Sequence, residues 1–186
     1  KSVIFCSLVR IIYPNRSAIY MNDRQLKEDF LKMIRENKGL IFKVCNFYAV
    51  APEDFRDIEQ EILIQLWLAF PNYDDTYKYS TWIYRIALNT AISFQRKESR
   101  HRRQTIGYDG VIFQIPDSVA TDPELQLQIK QLYAAIDNLN NIDKAILLLY
   151  LEGNSYKEIA EIIGTSETNI GTKINRLKQK MKNTMN

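Results

Sequence analysis

A chain of 186 residues, 46% of them hydrophobic and 25% charged, has the make-up of an ordinary soluble protein with room for one large or two small domains. The formal net charge of +3 says little by itself. Its distribution says more: cations gather at Arg96 to Arg103 and along Lys173 to Lys182, whereas Glu53 to Glu61 is acidic. Six glycines, one histidine and two cysteines, Cys6 and Cys45, supply no phosphate-cradling loop, metal cluster, catalytic triad or disulfide framework. An enzyme is therefore not expected, nor a cofactor or metal, and a reducing cytoplasmic setting fits the cysteine usage.

Lys1 to Tyr20 contains a short apolar run broken by Arg10 and by Pro14. It falls short of the roughly 20 apolar residues that a membrane span needs. With no initiator methionine before Met21, it reads as a disordered or non-native leader, residues 1–20. From Asp23 to Val50, Leu26, Phe30, Ile34, Leu40, Ile41, Val44, Phe47 and Tyr48 predict one long helix, or two short ones meeting at Asn37 to Gly39. Pro52 opens a helix to about Phe70 that buries Phe55, Ile58, Ile62 and Leu66, with Leu63 and Trp67 widening the stripe. On another face Glu53, Asp57 and Glu61 stand four apart. Such like-charged pairs each cost roughly 0.2–0.5 kcal/mol in an isolated helix, so the stripe is either a plainly solvated face or one built for a basic partner.

The stretch Tyr79 to Lys97 has Ser80 or Thr81 as a candidate cap, and Trp82, Ile83, Ile86, Ala87, Thr90 and Phe94 at helical spacing. Arg85, Asn89, Arg96 and Lys97 fall on other faces. Tyr73, Tyr77, Tyr79, Trp82 and Tyr84 crowd its entrance. Rings beside cations suit unpaired bases, each stacking contact being worth about 1–3 kcal/mol, although one tryptophan per helix is also ordinary core packing. Glu98 to Thr121, with Gly107, Gly110 and Pro116, reads as a linker. Its Arg100-His101-Arg102-Arg103 run either follows a phosphate backbone or simply ends a helix favourably.

Asp122-Pro123-Glu124 is a helix start, followed by a stripe of Leu125, Ile129, Leu132, Tyr133, Ile136 and Leu139. A second helix, about Ile142 to Leu151, stops at Gly153. Ser155-Tyr156-Lys157-Glu158 is a capping box that begins a short helix ending at Gly164. Ser166 caps the last helix, whose inner face is Ile170, Ile174, Leu177 and Met181. Two capped helices about a glycine turn, the second basic, make a helix-turn-helix. Its duplex-DNA candidates are Ser166, Thr168, Asn169, Thr172, Lys173, Asn175, Arg176 and Lys178, a mixture of base-reading and phosphate-binding types.

Three of these stretches carry a resemblance. Tyr79-Ser80-Thr81-Trp82-Ile83-Tyr84-Arg85-Ile86-Ala87-Leu88-Asn89 resembles the promoter-melting helix of the extracytoplasmic-function sigma factors, small initiation subunits of bacterial RNA polymerase. Asp57-Ile58-Glu59-Gln60-Glu61-Ile62 with Leu66-Trp67 is similar to the family's polymerase-docking helix. Leu151 to Ala160 nearly matches its minus-thirty-five reading domain. The resemblance implies an all-α fold of two small helical domains, residues 21–98 and 122–186, joined by a linker at 99–121, the second domain a helix-turn-helix. It also implies that Asp57, Gln60, Glu61 and Ile64 meet core RNA polymerase, and that Tyr77, Tyr79, Trp82, Arg85, Asn89 and Arg96 hold the separated minus-ten strand. The partners implied are core polymerase, through its clamp and flap regions, promoter DNA and an anti-sigma factor, and the linker is expected to order near the RNA path.

One position departs from the family. Gly171 stands before Thr172 where relatives usually carry a basic residue, which implies either an altered promoter sequence or delivery by a separate DNA-bound targeting factor. Two other readings compete: a helix-turn-helix regulator with an N-terminal sensor or dimerisation domain, and a protein-binding helical adaptor. The first needs no acidic docking stripe coupled to an aromatic helix, and the second accounts for the acidic stripe but not for the capped basic helix.

Overall fold

The computed structural model describes residues 19–73, 75–105, 124, 131–132, 134–136 and 138–185, and among them it is helical, with no strand. The named helices are α1 (Ile19–Tyr48), α2 (Pro52–Ala69), α3 (Tyr79–Thr105), α4 (Asn141–Leu151), α5 (Tyr156–Ile163) and α6 (Glu167–Met185), with a 3₁₀ turn at Phe70–Asn72. Residues 1–18 of the expected leader, the helix start at Asp122-Pro123, the stripe positions Leu125, Ile129 and Tyr133, and the apolar linker positions Ile106 to Ile115 all lie outside the described residues.

Helix α1 is continuous through Gly39. Phe30, Met33, Ile41, Val44, Cys45 and Tyr48 are buried on both sides of the glycine, and packing of that stripe outweighs the ~1 kcal/mol a helical glycine costs. Asn37 donates back to the Met33 carbonyl (2.8 Å) instead of breaking the helix. Two residues assigned to the leader, Ile19 and Tyr20, already belong to α1.

Pro52 sits in the first turn of α2, where its missing N–H costs nothing. The Asp54 carboxylate, at the third helical position, accepts from the N–H groups of Val50 (3.1 Å) and Ala51 (3.0 Å), the reach-back half of a capping box. Ile58, Ile62 and Leu66 are fully buried against α1 and α3.

Helix α3 differs from expectation at both ends. It begins at Tyr79, with the Trp82 N–H donating to the Lys78 carbonyl (3.1 Å), so Ser80 and Thr81 are first-turn residues rather than caps, and Thr81 is buried. It continues to Thr105, so Arg100 to Arg103, which read as the start of a linker, are helical. Gln95 to Gln104 contains neither Gly nor Pro and is rich in strong helix formers, which sustains the extension.

In the C-terminal half Ala135, Ile136 and Leu139 are buried, and Asn140 caps α4 by accepting from the Asp143 N–H (2.9 Å). The capping box forms as expected: the Glu158 N–H donates to Ser155 Oγ (3.2 Å) and the Ser155 N–H to Glu158 Oε2 (2.9 Å). Gly164 takes the left-handed conformation, φ 78°, that ends α5. Ser166 Oγ accepts from the Asn169 N–H (3.3 Å) at the start of α6. Helices α1–α3 form one bundle and α4–α6 the helix-turn-helix. The two halves touch where α5 packs on α3 and where the Tyr48 hydroxyl donates to the Asn141 carbonyl (3.0 Å).

Candidate nucleic-acid interface

Three surfaces follow from this scaffold. The first is a groove of about 700 Å³ between α2 and α3, lined from α2 by Asp57, Gln60, Glu61, Ile64 and Gln65 and from α3 by Asn89, Thr90, Ser93, Phe94, Lys97 and Glu98. All four predicted polymerase-contact residues lie in it. Asp57, Gln60 and Glu61 are exposed, and Ile64 keeps 41% of its surface in solvent. The opposite side of α2 is held in the core, so the acidic stripe faces outward because the apolar stripe faces in. Asn89, assigned by its sequence to single-stranded DNA, also borders this groove.

The second surface lies at the entrance to α3. Tyr73 stacks on Tyr79 (centroids 4.4 Å apart, 20° between planes) and meets Trp82 edge-on (5.2 Å, 70°). Trp82 in turn leans on Phe70 (6.3 Å), so it is half core and half surface. The Tyr73 hydroxyl donates to the Tyr77 carbonyl (2.5 Å), tightening the loop, and the Arg85 guanidinium lies 4.2 Å from the Tyr77 ring centroid, a cation–π contact. Arg85, Asn89 and Arg96 share one stripe of α3 by spacing. Tyr84, counted in the aromatic run, belongs elsewhere: it is buried, and burial, with the Glu152 charge adding, pushes its phenol up to about 12 against the effect of a hydrogen bond from Asn154. Tyr73 is not among the predicted site residues, although it contacts three that are, Tyr77, Tyr79 and Trp82. The signal available was its place in the tyrosine run; the ring pairing depends on how the 3₁₀ turn folds back.

The third surface is α6. Ser166, Thr168, Asn169, Thr172, Asn175, Arg176 and Lys178 are exposed, but they do not form one face. Thr168, Thr172 and Asn175 lie opposite the buried Ile170, Ile174 and Leu177, with Arg176 and Asn169 beside them. Lys173 is half-buried and paired with Asp143 (2.9 Å) at the start of α4. Lys178 lies on the other flank, 4.7 Å from the Tyr150 centroid, over an apolar hollow of about 230 Å³ lined by Leu147, Tyr150, Leu151, Ile174, Leu177 and Met181. A Cβ at Gly171 would touch the Tyr156 ring at 3.7 Å, so a side chain there would leave along the α5 flank. The buried Cys45 thiol, raised to about 12 chiefly by desolvation, is a core group. Among the described residues no cluster of His, Cys, Asp or Glu is arranged to hold a metal ion, and no helix is long and apolar enough to cross a membrane.

Comparison with known proteins agrees with this geometry. The family model for Sigma-70 region 2 matches residues 33–101 and that for Sigma-70 region 4 matches residues 129–181. The chain is 27% identical over 128 residues to the ECF RNA polymerase sigma factor SigM of Bacillus subtilis, covering 68% of this chain and 76% of that protein. It is 26% identical over 164 residues to SigW of the same organism, covering 81% and 85%. Among solved structures its fold matches the sigma factor RpoE of Bartonella quintana in complex with the anti-sigma factor NepR, with a TM-score of 0.68 at 16% identity, over 85% of this chain and 97% of that one. It also matches CnrH in complex with the cytosolic domain of CnrY, with a TM-score of 0.60 at 15% identity, over 84% and 86%. The chain belongs to the sigma-70 family as an extracytoplasmic-function sigma factor, an alternative sigma factor that directs transcription initiation by RNA polymerase.

Proposed function

We propose that the three surfaces divide the work of initiation. The groove carrying Asp57, Gln60, Glu61 and Ile64 docks on a basic helical element of core polymerase, the clamp, through exposed carboxylates that give register and steering, with Ile64 as the apolar anchor. Tyr77, Tyr79, Trp82, Arg85, Asn89 and Arg96, joined by Tyr73, hold the unpaired minus-ten strand by stacking and by phosphate contact. Ser166, Thr168, Asn169, Thr172, Asn175 and Arg176 address the duplex upstream, with Lys173 and Lys178 as flanking phosphate contacts. The domain limits move accordingly: the docking and melting unit extends to residue 105, and the helix-turn-helix unit includes the described residues from 131 on.

The observation that carries this reading is the shared wall of one groove, acidic α2 on one side and Asn89 and Lys97 of α3 on the other, which couples polymerase docking to the helix that meets single-stranded DNA. A conventional regulator has no use for that coupling. An anti-sigma factor is a further partner, supported by a structural neighbour solved with such a factor. The test is holoenzyme assembly: full chain and purified core polymerase, followed by gel filtration. The wild-type chain co-elutes, and Asp57→Lys with Glu61→Lys does not, while its helical circular dichroism is unchanged. Co-elution of the double reversal would remove the docking assignment.

A further inference from the structure

The side of α6 that faces away from its core is nearly uncharged. Over about three turns from the cap at Ser166, where a recognition helix reads base edges, the residues opposite Ile170, Ile174 and Leu177 are Thr168, Thr172 and Asn175, all exposed. Arg176, at their edge, is the only cation among them. The lysines of the same helix lie on its flanks and are tied to the protein itself: Lys173 to Asp143 (2.9 Å), Lys180 to the Asn138 carbonyl (3.3 Å), and Lys178 over the Tyr150 ring. From the flanks they are placed for phosphates, not base edges. Gly171 adds no second guanidinium, and a Cβ there would meet the Tyr156 ring.

The donors that remain decide which bases this row fits. The major-groove edge of guanine presents two acceptors, O6 and N7, whereas adenine presents one acceptor, N7, beside one donor, N6. Thr172 Oγ1 donates to the Thr168 carbonyl (3.0 Å), so its hydroxyl proton is spent on the helix and its γ-methyl is left for a partner. The Asn169 amide likewise donates to Thr165 Oγ1 (2.9 Å). The exposed Asn175 carboxamide, one donor beside one acceptor, matches adenine and mismatches guanine. Thr172 and Asn175 are three residues apart, a rise of about 4.5 Å against roughly 3.4 Å between stacked base pairs, so the two address neighbouring pairs.

We propose that α6 specifies two adjacent A·T pairs in the upstream duplex: Asn175 takes adenine through N6 and N7, and the Thr172 methyl packs on the C5 methyl of a neighbouring thymine. Arg176 is the one group in the row able to hold a guanine. The element this chain reads is therefore A·T-directed at its centre, with at most one guanine read by α6.

The inference rests on the duplex role proposed for α6, and the test separates the two. Holoenzyme assembled from core polymerase and the full chain selects from a pool of duplexes that are pre-melted at the minus-ten region and randomised upstream of it. The wild-type chain should enrich an upstream element containing adjacent A·T pairs. Asn175→Arg should switch one of these positions from adenine to guanine, with a change in preference of about tenfold, within the range that a bidentate contact discriminates. Thr172→Ser, which keeps the hydroxyl bond and removes the methyl, should relax the neighbouring pair and no other. Both variants should keep the helical circular dichroism of the wild type and co-elute with core. Enrichment of G·C at both positions by the wild type overturns the assignment. So does a uniform gain in affinity for Asn175→Arg with no change in preference, which would set the residue against the backbone. An A·T-rich element that neither variant alters overturns it as well, since the sequence is then read through duplex shape. If holoenzyme retains the pool but enriches no upstream element, the duplex role of α6 fails and the inference fails with it.

Discussion

Gly171→Ala is expected to stabilise the protein. Gly171 lies inside α6 and is not among the residues with positive φ, so alanine adopts its conformation without strain. The gain in helix propensity is about 1 kcal/mol. The new methyl would meet only the Tyr156 ring edge, at 3.7 Å, an ordinary van der Waals separation, so no clash offsets the gain and the contact adds to it. For a protein of this size about 1 kcal/mol corresponds to a rise in Tm of roughly 2–4 °C. Thermal unfolding followed by far-ultraviolet circular dichroism reads the shift. Gly164→Ala is the internal control: with φ 78° it should lower Tm by a comparable amount. A lower Tm for Gly171→Ala would show that the glycine is required by packing and refute the reasoning.

Other consequences follow from the same geometry. Gly171→Arg should tighten duplex binding by holoenzyme nearly uniformly across sequences and steepen its salt dependence by about one counterion, because the side chain leaves along the α5 flank; unchanged affinity and promoter choice would mean the glycine has no bearing on readout. The Glu158 carboxyl is held below its ordinary 4.5 by the Ser155 N–H and hydroxyl, with Lys78 contributing. A depressed carboxyl contributes stability above its unfolded pKa and loses it as the pH falls through the folded one, so Glu158→Gln should be less stable than wild type at neutral pH, the gap closing below about pH 4.5 in acid titrations. Ser155→Ala should cost about 1 kcal/mol in urea unfolding, as N-cap losses do; a neutral result would deny the cap its role.

The fold was legible wherever local chemistry decides structure. Ser155, Glu158, Gly164 and Ser166 announce the helix-turn-helix because caps and left-handed glycines act within four residues, and the Ile58, Ile62, Leu66 stripe announces the buried side of α2 because helical periodicity is local. The limits of α3 are not legible in the sequence, because Ser80 and Thr81 are good caps in isolation whereas Thr81 is drawn into the core, and because a basic run without Gly or Pro reads equally as tether or helix. The continuity of α1 through Gly39 was undecided in sequence because it depends on packing against α2 and α3. The groove between α2 and α3, the Tyr73 ring pairing and the capture of Arg85 by the Glu161 carbonyl all join residues distant in the chain or fixed by turns, and periodicity carries no record of them.

The central claim, that the ring-lined entrance and outer stripe of α3 hold separated strands once polymerase is bound, is tested most directly by permanganate reactivity of promoter thymines. In complexes of core polymerase with this chain, thymines near the minus-ten element should become reactive. That reactivity should be lost with Tyr77→Ala and Tyr79→Ala together, neither of which lines the docking groove, while the variant still co-elutes with core. Templates that remain unreactive with the wild-type chain bound to core, or strand opening unaffected by the double variant, would contradict it.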